Sequence, residues 1–104
     1  MSFPPLPRSR DLASPGPAAL VVVGVDWCGH CQTLKHDLRN YTLPRGVRVY
    51  WVDGDTDARA QGWNIDGYPT IMYNASQGGL WKHTGARTQA GITRLINSVE
   101  RQNQ

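Results

Sequence analysis

The chain has two cysteines, Cys28 and Cys31, and they stand three positions apart in Trp27-Cys28-Gly29-His30-Cys31. An apolar run ends just before them and a helical pattern begins just after. A sulfur at such a junction faces the amides of the first helical turn and the positive end of the helix dipole, and both favour a thiolate over a thiol. The second sulfur, one turn on, falls on the same side but deeper. This arrangement suits reversible exchange: Cys28 attacks a disulfide as the thiolate, and Cys31 resolves the mixed disulfide and leaves the pair oxidised. An imidazolium at His30 would stabilise the Cys28 thiolate and raise the reduction potential above that of the same loop with proline in its place. Gly29 leaves the loop open to an incoming chain.

Other uses of two cysteines fit less well. Zinc needs about four ligands, and beside Cys28 and Cys31 the chain offers only His30, His36 and His83, with no second cysteine pair. Covalent haem attachment needs histidine after the second cysteine, where Gln32 stands. A structural disulfide here would close a loop too small to stabilise much. Asp53-Gly54-Asp55-Thr56-Asp57 has the opening of a calcium loop, but its sixth position is Ala58 and its twelfth is Asn64, where glycine and glutamate are required. With the electrons held in the cysteine pair, neither a metal nor an organic cofactor is expected.

The elements that must hold this loop follow from the pattern. Ala18–Val25 is apolar except for Gly24 and reads as a strand buried on both faces. Cys31, Leu34, Leu38 and Tyr41 recur at helical spacing, and Pro44-Arg45-Gly46 breaks the chain after them. Val47–Asp53 is a second strand, parallel to the first as the return of a βαβ unit. Asp55 or Thr56 can cap a short helix ending at Gly62. Thr70–Asn74 and Leu80–His83 flank the hairpin signal Ser76-Gln77-Gly78-Gly79. Thr88 is placed to cap a last helix whose Ile92, Leu95, Ile96 and Val99 share one face. The order is β-α-β-α-β-β-α, an α/β fold.

Five of the seven prolines lie in residues 1–17, so that stretch is expected as an extended arm, with at most a short helical turn at Ser9–Ala13. Residues 18–104 form the domain. Pro4-Pro5-Leu6-Pro7 is also of the type that polyproline grooves bind, although a packed terminal arm is the plainer reading. Eleven basic residues against eight acidic ones give a net charge of +3, but they are scattered, which argues against a nucleic-acid surface. No apolar stretch approaches the roughly 18 residues of a membrane span. The first residues do not have the charged and apolar regions of a signal peptide. These features point to a cytosolic monomer, or to an oxidising compartment if the chain is cut from a longer precursor.

The cysteine loop on its strand and helix, followed about forty residues later by Gly67-Tyr68-Pro69-Thr70, resembles the thioredoxin superfamily, and within it a catalytic domain of protein disulfide isomerase. The resemblance covers about residues 18–100. It implies a three-layer sandwich about a mixed four-stranded sheet, with the usual first strand and helix shortened to the arm. It implies a thiol-disulfide oxidoreductase that acts on protein disulfides or dithiols, with a further redox partner to recycle it. By the same likeness Pro69 is cis and lies against the cysteines, Tyr68 pairs its backbone with the substrate, Trp27 packs beside the thiol, and Arg87 swings toward the buried cysteine to lower its pKa. Read alone, Pro69 would be an ordinary turn proline and Arg87 a solvated residue near a helix start. The chain departs from the family at Val22, where a buried acid usually moves protons at the second thiol, at Gln32 for a lysine, and at His36 for a proline. Asp26 adds a charge that opposes the thiolate. These departures weigh more against efficient isomerisation than against simple exchange. The rival expectation is an adaptor of the same fold in which redox chemistry is incidental.

Overall fold

The computed structural model describes residues 3–102. Four strands, β1 (Ala19–Gly24), β2 (Arg48–Asp53), β3 (Thr70–Asn74) and β4 (Leu80–Lys82), form one sheet in the order β2-β1-β3-β4. β1 and β2 are parallel, and β3 runs antiparallel to both β1 and β4. Two α-helices, α1 (Gly29–Leu38) and α2 (Gln89–Gln102), and a 3-10 helix at Ala58–Trp63 complete the expected order.

Alternation along the strands divides the core into two layers, because successive strand side chains point to opposite faces. Leu20 and Val22 of β1 join Ile71 and Tyr73 of β3 on one face, where Leu34 and Leu38 of α1 and Ile92, Ile96 and Val99 of α2 cover them. Ala19, Val21 and Val23 join Tyr50, Val52 and Met72 on the other. Every residue of β1 is buried, as a strand covered on both sides requires. Gly24 interrupts the valines for a steric reason: a Cβ there would overlap the Trp51 ring of the neighbouring strand.

Among the described residues no α-helix packs on the second face. It is covered by Ala60 of the 3-10 helix and by the proline-rich arm, whose Leu6 is buried and whose Leu12 packs beside it. The arm is tied down along its length. Pro4 O accepts from Trp51 N–H at 3.0 Å, Leu12 O accepts from Gly79 N–H at 2.8 Å, and Gly16 N–H donates to Ser76 O at 2.9 Å. Arg59, paired with Asp57, also donates to the carbonyls of Leu6 and Pro7. Arg10 reaches the buried Asn74 side chain and the Pro17 carbonyl.

Several boundaries differ from those read in the sequence. Ser9–Ala13 holds turns instead of a helical turn, with Asp11 accepting from Ala13 N–H at 2.9 Å. The short helix is capped by Asp57, not Asp55 or Thr56, and runs on to Trp63 before the left-handed Asn64 stops it. α1 ends at Leu38, so Tyr41 lies beyond it. Tyr41 still packs on the core, and its hydroxyl donates to Arg87 O at 2.9 Å. Thr88 caps α2 as expected, its Oγ1 accepting from Gly91 N–H at 3.1 Å.

Candidate functional site

Cys28 occupies the N-cap position of α1 with extended backbone angles, and its sulfur accepts from Cys31 N–H at 3.4 Å. Cys28 is half-buried and Cys31 fully buried. The two side chains are close enough to act on each other's acidity, and they do so in opposite directions. The neighbouring Cys31 side chain is the largest cause lowering the Cys28 pKa below the ordinary cysteine value. Partial burial opposes it, and the Cys31 and His30 amides and the Arg87 charge assist. Cys31 is pushed up to about 11, first by burial and then by the neighbouring Cys28 side chain. One thiol is prepared to ionise and its neighbour to keep its proton.

The contribution of His30 at Cys28 comes through its main-chain N–H. Its exposed side chain borders a hollow shared with Thr33, Leu34, Asp37 and Arg87. Gly29 is exposed, with open space where a Cβ would stand. Val22 is wholly buried in the helix-covered layer, so its position supplies no proton acceptor. His36 faces solvent, and Gln32 is exposed with its amide donating to Asp26 O at 3.4 Å.

The turn before β3 closes the site from the other side. The Tyr68–Pro69 peptide bond is cis, and the Cys28 thiol donates to Tyr68 O at 3.7 Å. Thr70 Oγ1 donates to Gly67 O at 2.7 Å within the same turn. Two residues distant in sequence thus share the rim of the thiol. Trp27 is 72 % exposed, the one large apolar side chain so exposed among the described residues. Its ring meets that of Tyr68 edge to face, with centroids 6.0 Å apart. Arg87 is exposed and lies across the turn from them, bordering hollows lined by Pro69 on one side and by His30 on the other.

Sequence reasoning did not assign Gly54 and Asp55 to this site. Trp27 Nε1 donates to Asp55 Oδ2 at 2.9 Å, and Asp53 Oδ1 accepts from Asp55 N–H at 2.8 Å. The Tyr68 ring lies where a Cβ on Gly54 would stand, and its hydroxyl donates to Gly54 O at 3.5 Å. The calcium-like spelling of Asp53-Gly54-Asp55 therefore belongs to a turn that holds two aromatic rings. A cue was present in the run of turn-forming residues directly after β2. Among the described residues no three His, Cys, Asp or Glu side chains gather as metal ligands.

A thioredoxin family model matches residues 9–98. The chain is 31% identical over 75 residues to protein disulfide isomerase-like 1-2 of Oryza sativa subsp. japonica, covering 68% of this chain and 14% of that protein. It is 28% identical over 83 residues to a probable protein disulfide-isomerase A4 of Caenorhabditis elegans, covering 79% of this chain and 13% of that one. The chain thus spans about one-seventh of the length of these relatives. Among solved structures, the first thioredoxin domain of mouse protein disulfide-isomerase A4 matches with a TM-score of 0.68 at 24% identity, covering 80% of this chain and 63% of that one. ERdj5 form II matches with a TM-score of 0.76 at 18% identity, covering 100% of this chain and 15% of that one. At these identities the structural likeness speaks to the fold.

Proposed function

The chain belongs to the thioredoxin family, and from that premise we propose that it is a thiol-disulfide oxidoreductase acting on protein substrates through Cys28 and Cys31. The observation that carries this reading is the half-buried Cys28 sulfur at the N-cap of α1, held between the Cys31 amide and the Tyr68 carbonyl with the buried Cys31 one turn on. The Cys28 thiolate attacks one sulfur of a substrate disulfide. That S–S bond breaks, a mixed disulfide forms, and the departing substrate sulfur takes a proton. Cys31 then loses its proton and attacks the Cys28 sulfur, which releases the second substrate thiol. The substrate gains two electrons and the pair ends oxidised; the reverse sequence oxidises a dithiol.

The roles of the neighbours follow. The open Gly29 and the Trp27 and Tyr68 rings flank the incoming sulfur, and the turn at Pro69 offers backbone to the substrate strand. His30 and Arg87 favour the Cys28 thiolate, and Arg87 acts on Cys31 in the same direction. With valine at position 22, the Cys31 proton leaves to the departing substrate sulfur or to water, which makes resolution the slow step. Exchange in one direction suits this site better than repeated isomerisation.

The test is insulin-disulfide reduction with a dithiol reductant. Cys28→Ser abolishes it, and Cys31→Ser accumulates mixed disulfides that a non-reducing gel displays. Full turnover by the Cys28→Ser protein would sink the proposal.

A further inference from the structure

Beyond Pro69 the surface beside the thiols leads into a larger groove that the exchange chemistry leaves unused. A hollow of about 180 Å³ is bounded by Pro69, Ile71, His83 and Arg87. It shares His83, Thr84 and Gly85 with a groove of about 420 Å³ that runs between β4 and the flank of α2. Arg94, Leu95 and Ser98 of α2 line that groove, and Leu95 also packs on the core beneath. β4 is the last strand of the sheet on this side.

The charge along this path has one sign. Arg87 borders the first hollow, Lys82 and Arg94 border the second, and neither is lined by an aspartate or glutamate. Asp37 borders a separate hollow on the α1 side of Arg87. Arg87 and Arg94 are exposed and enter no ion pair among the described residues. Lys82 Nζ is committed to the Asn64 carbonyl at 2.6 Å, and His83 Nε2 to the Ala86 carbonyl at 2.7 Å. The two arginines are therefore the donors free to meet a ligand, and a planar guanidinium suits a carboxylate.

We propose that this path binds one flank of the polypeptide substrate and selects an acidic flank, with carboxylates pairing with Arg87 and Arg94. The proposal rests on the exchange reading, since it is the chain attached to Cys28 that must run over Pro69.

Three disulfide peptides of equal length test this, with Glu in the amino-terminal flank, Glu in the carboxyl-terminal flank, or Gln in both. Exposed ion pairs are individually weak, so two of them give about a five- to tenfold advantage in kcat/KM. The wild-type protein should show that advantage for one Glu peptide and less than about twofold for the other, and Arg94→Gln should reduce the larger value to about twofold. Equal gains for both Glu peptides would report attraction to a protein of net charge +3 and overturn the proposal, as would no gain for either. A second readout needs no redox chemistry. Linear Glu peptide titrated into the Cys28→Ser protein should move the amide resonances of Thr84, Gly91, Arg94 and Ser98, whereas shifts confined to Trp27–Cys31 count against the groove. If the wild-type protein reduces none of the peptides, the exchange reading falls and this titration still decides the groove. A single-stranded DNA oligomer that moves the same resonances at lower concentration would overturn the assignment to an acidic polypeptide.

Discussion

The two neighbouring thiols shift each other's proton affinity in opposite directions, and two predictions belong at that scale. In the unfolded chain Cys31 titrates near 9.0, and in the folded protein near about 11. Between those values the unfolded state has released a proton that the folded state keeps, so the reduced protein loses stability as pH rises from about 9 toward 11. Cys28, shifted down, acts on stability at lower pH. The oxidised protein has neither thiol, so the difference between reduced and oxidised urea-unfolding curves across this range isolates the effect; parallel curves would count against a buried, protonated Cys31. His30 offers the second prediction, because its ring and its amide can be separated. His30→Pro removes the N–H that faces Cys28 at a position in the first helical turn where proline is tolerated. It should raise the Cys28 pKa and make the pair more reducing, while His30→Ala keeps the amide and moves both less. Alkylation rate against pH and equilibration with glutathione measure the two quantities. Equal shifts in the two variants would return the role to the imidazole.

Among the elements, the turn after β2 and the turn before β3 act as one support for the thiol. The Tyr68 ring occupies the space above Gly54 while the Tyr68 carbonyl meets Cys28. Gly54→Ala should displace that ring, destabilise the protein by about 1–3 kcal/mol as overpacking does, and raise KM for a peptide disulfide. Urea denaturation and steady-state kinetics check both, and an unchanged KM would detach Gly54 from the site. The elements that sequence made legible are those with an unbroken apolar run, a turn signal or a strict period. β1 is buried throughout, β3 enters the hairpin, and Ile92, Ile96 and Val99 mark the buried stripe of α2. The cysteine loop was legible as well, because its chemistry depends on residue type and spacing, whereas Pro69 was legible only through the family resemblance. Asp55 was not, since its bond to Trp27 joins residues 28 positions apart and follows from how two turns meet. Tyr41 kept the helical period of α1, yet the helix ends three residues before it; its hydroxyl instead fixes the Arg87 carbonyl.

At the scale of the whole molecule, the sheet has two differently built covers. Helices α1 and α2 shield one face, while a 3-10 helix and the arm shield the other. Composition revealed that the arm could form neither a long helix nor a regular strand, but not that Leu6 would become part of the core. Leu6 is only 3% exposed, so Leu6→Ala should cost about 2–4 kcal/mol, in the range of buried leucine truncations. Equilibrium denaturation measures this, and a loss below about 0.5 kcal/mol, typical of surface positions, would show that the arm is dispensable to the fold.

The contact between Pro4 and Trp51 has a further consequence for how copies of this chain meet. β2 forms one border of the sheet, and an exposed border strand is a template on which another molecule's backbone can align and aggregate. The Pro4 carbonyl already takes the Trp51 amide there. Proline at positions 4, 5 and 7 leaves the covering segment without amide hydrogens at those sites. The arm therefore ends the ladder on that side without becoming a new rung for a neighbour to extend.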